Sequence, residues 1–239
     1  LYLFIQTVII FFFGSGKLEM MTGTGNFFLS IGFMIGASCI LFLTLFGKER
    51  RGVYFLLLAG LIIGALFMSL ATFMQVMMDP NEFLFLQGKM FASFNNINVS
   101  LLWLCVAICL ATAGITWRDY REYDVLSLGA EQAVNLGLPY RTAVLKSLIV
   151  TAVLVSISTA LTGPITFLGI LIANLSRQLL KTFRHTQLVL GSALFGMIVL
   201  VGGQLIVEHM YSYSVPVSVF ITVGGGLYFL YLLLTRKKV

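Results

Sequence analysis

The stretch VYFLLLAGLIIGALFMSLATFMQVMM, residues 53–78, contains no charged side chain. As a helix rising 1.5 Å per residue, it is long enough to cross the roughly 30 Å hydrocarbon core of a bilayer. Further apolar stretches of the same kind lie at residues 1–13, 26–46, 99–117, 142–161, 165–180, 187–209 and 215–235. The sequence therefore predicts an all-α polytopic membrane protein with eight transmembrane helices.

The composition supports this class of protein. The chain is 59% hydrophobic and 10% charged, whereas a soluble domain carries about 25% charged residues. No composition shift, linker or soluble domain interrupts the pattern, so residues 1–239 are predicted to form a single transmembrane domain.

The basic residues indicate the orientation in the membrane. Threading the eight stretches alternately leaves Lys17 and Lys89 on one side and the other 13 of the 15 basic residues opposite. Those 13 are Lys48, Arg50, Arg51, Arg118, Arg121, Arg141, Lys146, Arg177, Lys181, Arg184, Arg236, Lys237 and Lys238. Because basic residues near spans stay cytoplasmic, we expect a multi-pass protein of the cytoplasmic (inner) membrane with a cytoplasmic C-terminus. Charges in short loops set orientation and contact lipid headgroups, so nucleic-acid binding is not expected.

Ionisable residues deep within the spans are almost absent. A proton- or sodium-coupled carrier usually needs carboxylates or histidines at mid-membrane, so the energy for transport is expected to come from a separate subunit. Cys105 and Cys109 share a helix face, but no histidine or carboxylate accompanies them, so no metal site is predicted. No catalytic residue is predicted either. A secondary carrier or a membrane-embedded enzyme without an ATPase partner remains the alternative.

The loop DVLSLGAEQAVNLGLP, residues 124–139, has the most specific pattern in the chain. It predicts two short amphipathic helices divided at Gly129. Their apolar contacts would come from Val125, Leu126 and Leu128 on the first, and from Ala133, Val134 and Leu136 on the second. Such a face either docks into a groove of a cytoplasmic partner or lies on the lipid headgroups. Further along, Gly163-Pro164 predicts a sharp helix break, because proline cannot continue a helix and restricts the residue before it.

These motifs resemble one family. Residues 128–137, LGAEQAVNLG, look like the coupling segment of FecCD-type ABC importer permeases, which carry iron-siderophores, haem and cobalamin. Residues 163–169, GPITFLG, resemble that family's Gly-Pro-Ile-Gly-Phe-x-Gly turn, and blocks at 83–88, 176–194 and 216–229 resemble its other motifs in order. Residues 79–82 and 91–98 look most like the catecholate/petrobactin-type siderophore branch.

The resemblance implies roles for particular residues. The coupling segment would contact an ATPase through Leu128, Gly129, Glu131, Gln132, Ala133 and Gly137, and the helix-break turn would be Gly163, Pro164 and Gly169. In relatives, an arginine near the outer end of the ninth helix binds a glutamate of the binding protein. Here that position reads Val207-Glu208-His209. Glu208 and His209 are therefore candidates for binding-protein docking, with a water-exposed helix end as the alternative.

The resemblance also implies an assembly. Family members have ten helices, so the eight predicted here would correspond to helices three to ten, with the N-terminal helices missing. The partners would be a second permease subunit (a paralogue or a copy), two ATPase subunits that bind the ATP, an extracytoplasmic siderophore-binding protein and a ferric siderophore. This chain itself would bind no cofactor. Phe73, Met74, Met77 and Met78 are candidates to line the translocation path, although lipid contact or core packing explains them equally well.

Overall fold

The computed structural model describes residues 1–20, 23–47, 53–92, 94, 97, 99–211 and 215–235. Within them the chain is helical, without strands. The helices are α1 (Tyr2–Met20), α2 (Gly23–Gly47), α3 (Val53–Val76), α4 (Pro80–Lys89), α5 (Val99–Arg118), α6 (Tyr120–Leu126), α7 (Ala130–Asn135), α8 (Tyr140–Thr162), α9 (Leu168–Leu180), α10 (His185–Tyr211) and α11 (Val217–Thr235).

The predicted all-α polytopic membrane fold is confirmed. Among the described residues, five helical segments are long and apolar enough to cross a membrane: Gly25–Thr44, Leu57–Val76, Val99–Arg118, Tyr140–Thr162 and His185–Met210. Shorter apolar helices at Tyr2–Gly14, Leu168–Leu180 and Val217–Tyr228 coincide with the other three predicted stretches.

Three helices differ from the prediction. α4 forms within the segment after α3, for which no helix was predicted; it begins at Pro80, a residue suited to the first helical position. α9 begins at Leu168 rather than 165, because Gly163 and Phe167 both have positive φ (98° and 64°) and Pro164 lies between them. α1 continues to Met20, beyond the predicted stretch at residues 1–13, and departs from helical geometry at Gly14.

The helices form two groups. In the amino-terminal group, α1 packs against α2, α3 and α4, while α8 packs against α2 and α5. A cluster of Phe27, Leu101, Cys105 and Ile157 fixes α2, α5 and α8 together. Because these side chains contact one another in one buried cluster, each of the three helices has a defined neighbour.

The carboxy-terminal group contains α9, α10 and α11, which contact one another. Small residues bring these helices close: a Cβ on Gly225 would lie 3.0 Å from Leu171 Cδ1. The Ser192 hydroxyl of α10 also donates a hydrogen bond to the Ser176 hydroxyl of α9, at 3.1 Å. Small residues and hydroxyl pairs of this kind are typical of helix packing in membranes.

The two groups meet at opposite ends of the molecule. At the end near α4, the buried Ala92 backbone N–H donates a hydrogen bond to the Ser218 hydroxyl of α11, at 3.1 Å. At the other end, α6 packs against both α8 and α10. We call these the α4 end and the α6 end. The described basic residues of the larger set, Arg118, Arg121, Arg141, Lys146, Arg177, Lys181 and Arg184, belong to helix termini and loops at the α6 end.

Candidate functional site

The coupling segment, residues 128–137, contains α7 and follows directly after α6; Gly129, with φ 98° and ψ 165°, separates the two short helices. α7 ends in a Schellman motif: Leu138 N–H donates to Ala133 O at 3.0 Å, and Gly137 N–H donates to Val134 O at 2.9 Å. Gly137 has φ 81°, a conformation that this motif requires and that glycine adopts without strain. Both glycines of the segment therefore fix its shape.

The side chains of this segment divide into two sets. Ala133 of α7 is fully buried, and Val125 and Leu126 of α6 are half-buried. Leu128, Val134 and Leu136 remain 51%, 58% and 65% exposed, and Glu131 and Gln132 are exposed beside them. We call Leu128, Val134 and Leu136 the exposed apolar face. Three exposed large apolar side chains within nine residues are typical of a surface that contacts a partner or the membrane.

α6 is attached to the transmembrane helices through its two aspartates. Asp119, which precedes the first residue of α6 and is buried, forms an ion pair with Lys146 of α8. The Asp124 carboxylate accepts a hydrogen bond from the His185 backbone N–H at 2.8 Å and contacts His185 Nδ1 at 2.9 Å. That backbone N–H holds the pKa of the Asp124 carboxyl below its ordinary value.

Sequence reasoning did not foresee the partners of either aspartate. Asp124 is the first residue of the loop at 124–139, Lys146 belongs to the set of 13 basic residues, and His185 lies between two predicted stretches, so nothing in the pattern pairs them. The separation between Asp124 and His185, 61 positions, gives no local signal.

The helix-break turn lies at the α4 end, where α8 ends at Thr162. Gly163 is tightly enclosed: a Cβ there would lie 2.9 Å from Ala92 Cα and 3.0 Å from Phe91 O. Pro164 is half-buried, while Gly169, in the first turn of α9, has no heavy atom within 4 Å of a Cβ position. Gly163 alone of the three is therefore required by a close backbone approach.

Glu208 and His209 lie in the last turn of α10, at the α4 end, and both are exposed. The preceding Val207 is 2% exposed and packs with Val217 and Ile221 of α11. The helix is therefore fixed in rotation at this point, and its two ionisable residues face away from the carboxy-terminal group.

The candidate path residues lie near the end of α3, also at the α4 end. Phe73 and Met77 are 65% and 63% exposed, and they share one helix face at a spacing of four residues. Met74 is half-buried, and Met78 packs against the core cluster of α1 and α4. The four residues are therefore not brought together on one surface; Phe73 and Met77 face outward.

A polar cavity was not anticipated. It has a volume of about 370 Å³ and lies between α1, α2, α4 and the end of α8. Gln6 is 2% exposed and donates a hydrogen bond through Nε2 to the Ser30 hydroxyl at 3.0 Å. Lys89 also borders the cavity, and burial lowers the pKa of its ammonium group. The available signal was a glutamine within an otherwise apolar run at residues 1–13.

Among the described residues, no group of three or more His, Cys, Asp or Glu side chains is placed to hold a metal ion.

The sequence profile of the FecCD transport family matches residues 1–235. The chain is 52% identical over 238 residues to the petrobactin import system permease protein YclO of Bacillus subtilis (strain 168), covering 100% of this chain and 76% of that protein. It is 33% identical over 237 residues to the petrobactin import system permease protein FatC of Bacillus anthracis, covering 99% and 67% respectively.

The fold is similar to a solved structure as well. An inward-facing ABC transporter assigned to the metal-chelate type superposes with a TM-score of 0.84 at 22% identity, covering 98% of this chain and 73% of that one. At this level of identity the similarity concerns the fold alone.

Proposed function

Because this chain belongs to the FecCD transport family, we propose that it is the transmembrane permease subunit of an ABC importer that carries a ferric siderophore across the cytoplasmic membrane. The observation that carries the proposal is the match of the family along residues 1–235, together with two relatives named as petrobactin permeases. A siderophore of the petrobactin class is therefore the proposed cargo.

We propose that all eight apolar helices span the membrane. α11 has 19 residues, about 28 Å of helix, which is close to the hydrocarbon thickness. The apolar part of α1, Tyr2–Gly14, is about 20 Å long and ends at the kink at Gly14. α9 has 13 residues, about 20 Å, and the non-helical residues 163–167 complete its crossing. Irregular backbone is tolerated at membrane depth where other protein segments cover it, and Ala92 and Phe91 lie directly against Gly163.

The α6 end faces the cytoplasm in this proposal, because it carries the basic helix termini. The exposed apolar face then docks one of two ATPase subunits, which bind and hydrolyse the ATP. A second permease subunit completes the translocation path, which Phe73 and Met77 would face. A siderophore-binding protein docks at the α4 end, where Glu208 and His209 are exposed.

Uptake of radiolabelled iron tests the cargo. The permease, its partner permease, the ATPase and the binding protein are expressed in cells that lack their own siderophore import, and a panel of ferric siderophores is supplied. We expect uptake with a petrobactin-class siderophore and none when the ATPase is omitted. Uptake by the single chain without an ATPase would instead support the secondary carrier.

The docking of the ATPase is tested by Leu136→Asp, which puts a charge into the exposed apolar face. Because a few apolar anchors carry most of the energy of such interfaces, we expect ATPase co-purification to fall at least tenfold, about 1.4 kcal/mol. Asn135→Asp is the matched control, since it adds the same charge one residue away on an exposed side of α7. Equal co-purification of the two variants would contradict the docking role.

The orientation is tested by single cysteines at the two ends of α10, in a background without Cys39, Cys105 and Cys109. An impermeant thiol reagent applied to intact cells should label Glu208→Cys and leave Arg184→Cys unlabelled until the cells are opened. Labelling in the reverse order would contradict the proposed threading. Arg50, Lys237, Asn95 and Tyr213, which the sequence also assigns to the two sides, lie outside the described residues.

A further inference from the structure

At the α6 end the two helix groups are held apart. A cavity of about 480 Å³ lies between α5 and α8 on one side and α10 on the other. Its walls are mainly apolar or aromatic, with Leu154 from α8, Val189 from α10 and Tyr123 from α6 among them. The cavity separates side chains of α8 from side chains of α10 at this end, and α6 packs against both helices.

The first connection of α6 is to α8. Asp119 is 6% exposed, and its carboxylate forms an ion pair with the Lys146 ammonium group. A buried carboxylate is strongly unfavourable without a partner. The start of α6 is therefore tied to the second turn of α8.

The second connection is to α10, and its character is different. The Asp124 carboxylate accepts the His185 backbone N–H at the first residue of α10. This is the role of an N-cap acceptor, which satisfies one of the free amides at a helix start and favours a negative charge there. Here the acceptor belongs to another helix, so the cap joins α10 to α6. The Tyr123 ring also lies against the His185 ring, with centroids 6.3 Å apart.

The two aspartates point to different neighbours because of their spacing. Five positions separate them, and five residues of a helix correspond to a rotation of about 140° from one side chain to the other. Glu122 lies between them and forms no ion pair with the described part of the chain. With Asp119 directly before its first residue and Asp124 within it, α6 carries acidic groups on two sides and is suited to joining two larger helices.

We propose that Asp119 and Asp124 make α6 a charged bridge between α8 and α10, so that a displacement of the coupling segment moves both helix groups together. The inference rests on the proposed function, because the displacement would come from the docked ATPase. Asp119, Lys146, Asp124 and His185 are positioning residues: they hold α6 against the helices and do not contact the cargo.

The bridge is tested directly by the distance between α8 and α10, the two helices that it joins. Spin labels on Arg141→Cys in α8 and Gln187→Cys in α10, both exposed positions, report that distance in the purified permease without any partner or cargo. We expect a narrow distribution in the parent protein and a clearly broader one in Asp124→Ala. Glu122→Ala, an acid removed from the same helix, should leave the distribution narrow. Equal distributions in all three proteins would overturn the bridge.

The histidine separates the two contacts of Asp124. His185→Ala removes the ring but keeps the backbone N–H, so we expect its distribution to be narrower than that of Asp124→Ala. If His185→Ala broadens the distribution fully, the backbone cap is not the connection and this half of the proposal is wrong. The variant also keeps the test usable if Asp124→Ala folds poorly.

Transport coupling supplies the functional readout. In vesicles that contain the whole importer, Asp124→Ala should lower the siderophore transported per ATP hydrolysed about tenfold, the effect expected for losing a charge-assisted hydrogen bond, while ATPase co-purification stays unchanged. The exchange Asp119→Lys with Lys146→Asp should recover part of the coupling that each single change loses. Unchanged coupling in Asp124→Ala would overturn the proposal. A parent importer that transports no siderophore would instead contradict the proposed function, and the spin-label distances would still decide the bridge.

Discussion

The two ends of α10 each carry a histidine and an acidic residue, but in different arrangements. At the α6 end, His185 contacts Asp124, which comes from a separate helix and holds both the ring and the backbone N–H. At the α4 end, Glu208 and His209 are adjacent in sequence and exposed, and neither side chain forms an ion pair or hydrogen bond with a described residue. One end is fixed by charge, and the other leaves its charges free.

The difference follows from helix geometry. Consecutive residues of a helix point about 100° apart, so adjacent side chains such as Glu208 and His209 do not face each other. At the α6 end the contact is made by Asp124, which the fold brings in from another helix. The α4 end is fixed differently, through Val207 in the apolar cluster and through the backbone at Ala92 and Gly163.

Gly163→Ala should have the largest effect of the changes that probe this comparison. The new Cβ would meet Ala92 Cα at 2.9 Å, and alanine would have to adopt φ 98°. Strain and overpacking of this kind cost about 2–4 kcal/mol, which should lower the thermal midpoint by about 5–10 °C. Gly169→Ala is the control, because that site is open and helical. Equal midpoints for the two variants would mean that the α4 end is not fixed at this turn.

Lys146→Met should have a smaller effect, at the α6 end. It leaves the buried Asp119 carboxylate without its partner, but Lys146 itself is 42% exposed and water can replace it in part. We therefore expect a loss of about 1–3 kcal/mol, measured by thermal unfolding, with faster hydrogen exchange in α6. Lys181→Met, an exposed lysine of the same end, should stay within about 0.5 kcal/mol of the parent protein. If Lys146→Met unfolds at the same temperature as the parent protein, the α6 end is held by packing alone.

The sequence predicts the helices better than it predicts their contacts. The eight apolar stretches, the division at Gly129 and the end of α8 beside Gly163 all follow from local rules, because hydropathy and glycine or proline chemistry act within a few residues. α4 was missed because its ten residues, PNEFLFLQGK, have mixed polarity and show no repeating apolar pattern. Its Leu86 is buried through contact with α1, which the local sequence does not indicate.

The candidate site shows the same limit. Leu128, Val134 and Leu136 could be named in advance as apolar, but only packing determines that Ala133 turns inward while these three remain exposed. The path residues were named together, yet Met78 packs inward and Phe73 faces outward. The partners of Asp119 and Asp124 depend on the tertiary arrangement of α8 and α10, which no local pattern records.

Glu208→Lys should have the smallest effect, because it tests the free charges of the comparison. Glu208 is exposed, so its interaction with a binding protein would act through solvent and be screened within about 8 Å at physiological ionic strength. Rim charges mainly change association rates, so we expect the binding protein to associate about threefold more slowly at low salt, with the difference disappearing at high salt. Glu122→Lys gives the same change of net charge at the opposite end and should leave the association rate unaltered. If Glu208→Lys and Glu122→Lys associate at the same rate at every salt concentration, Glu208 has no docking role, and the α4 end of α10 is simply a hydrated helix terminus.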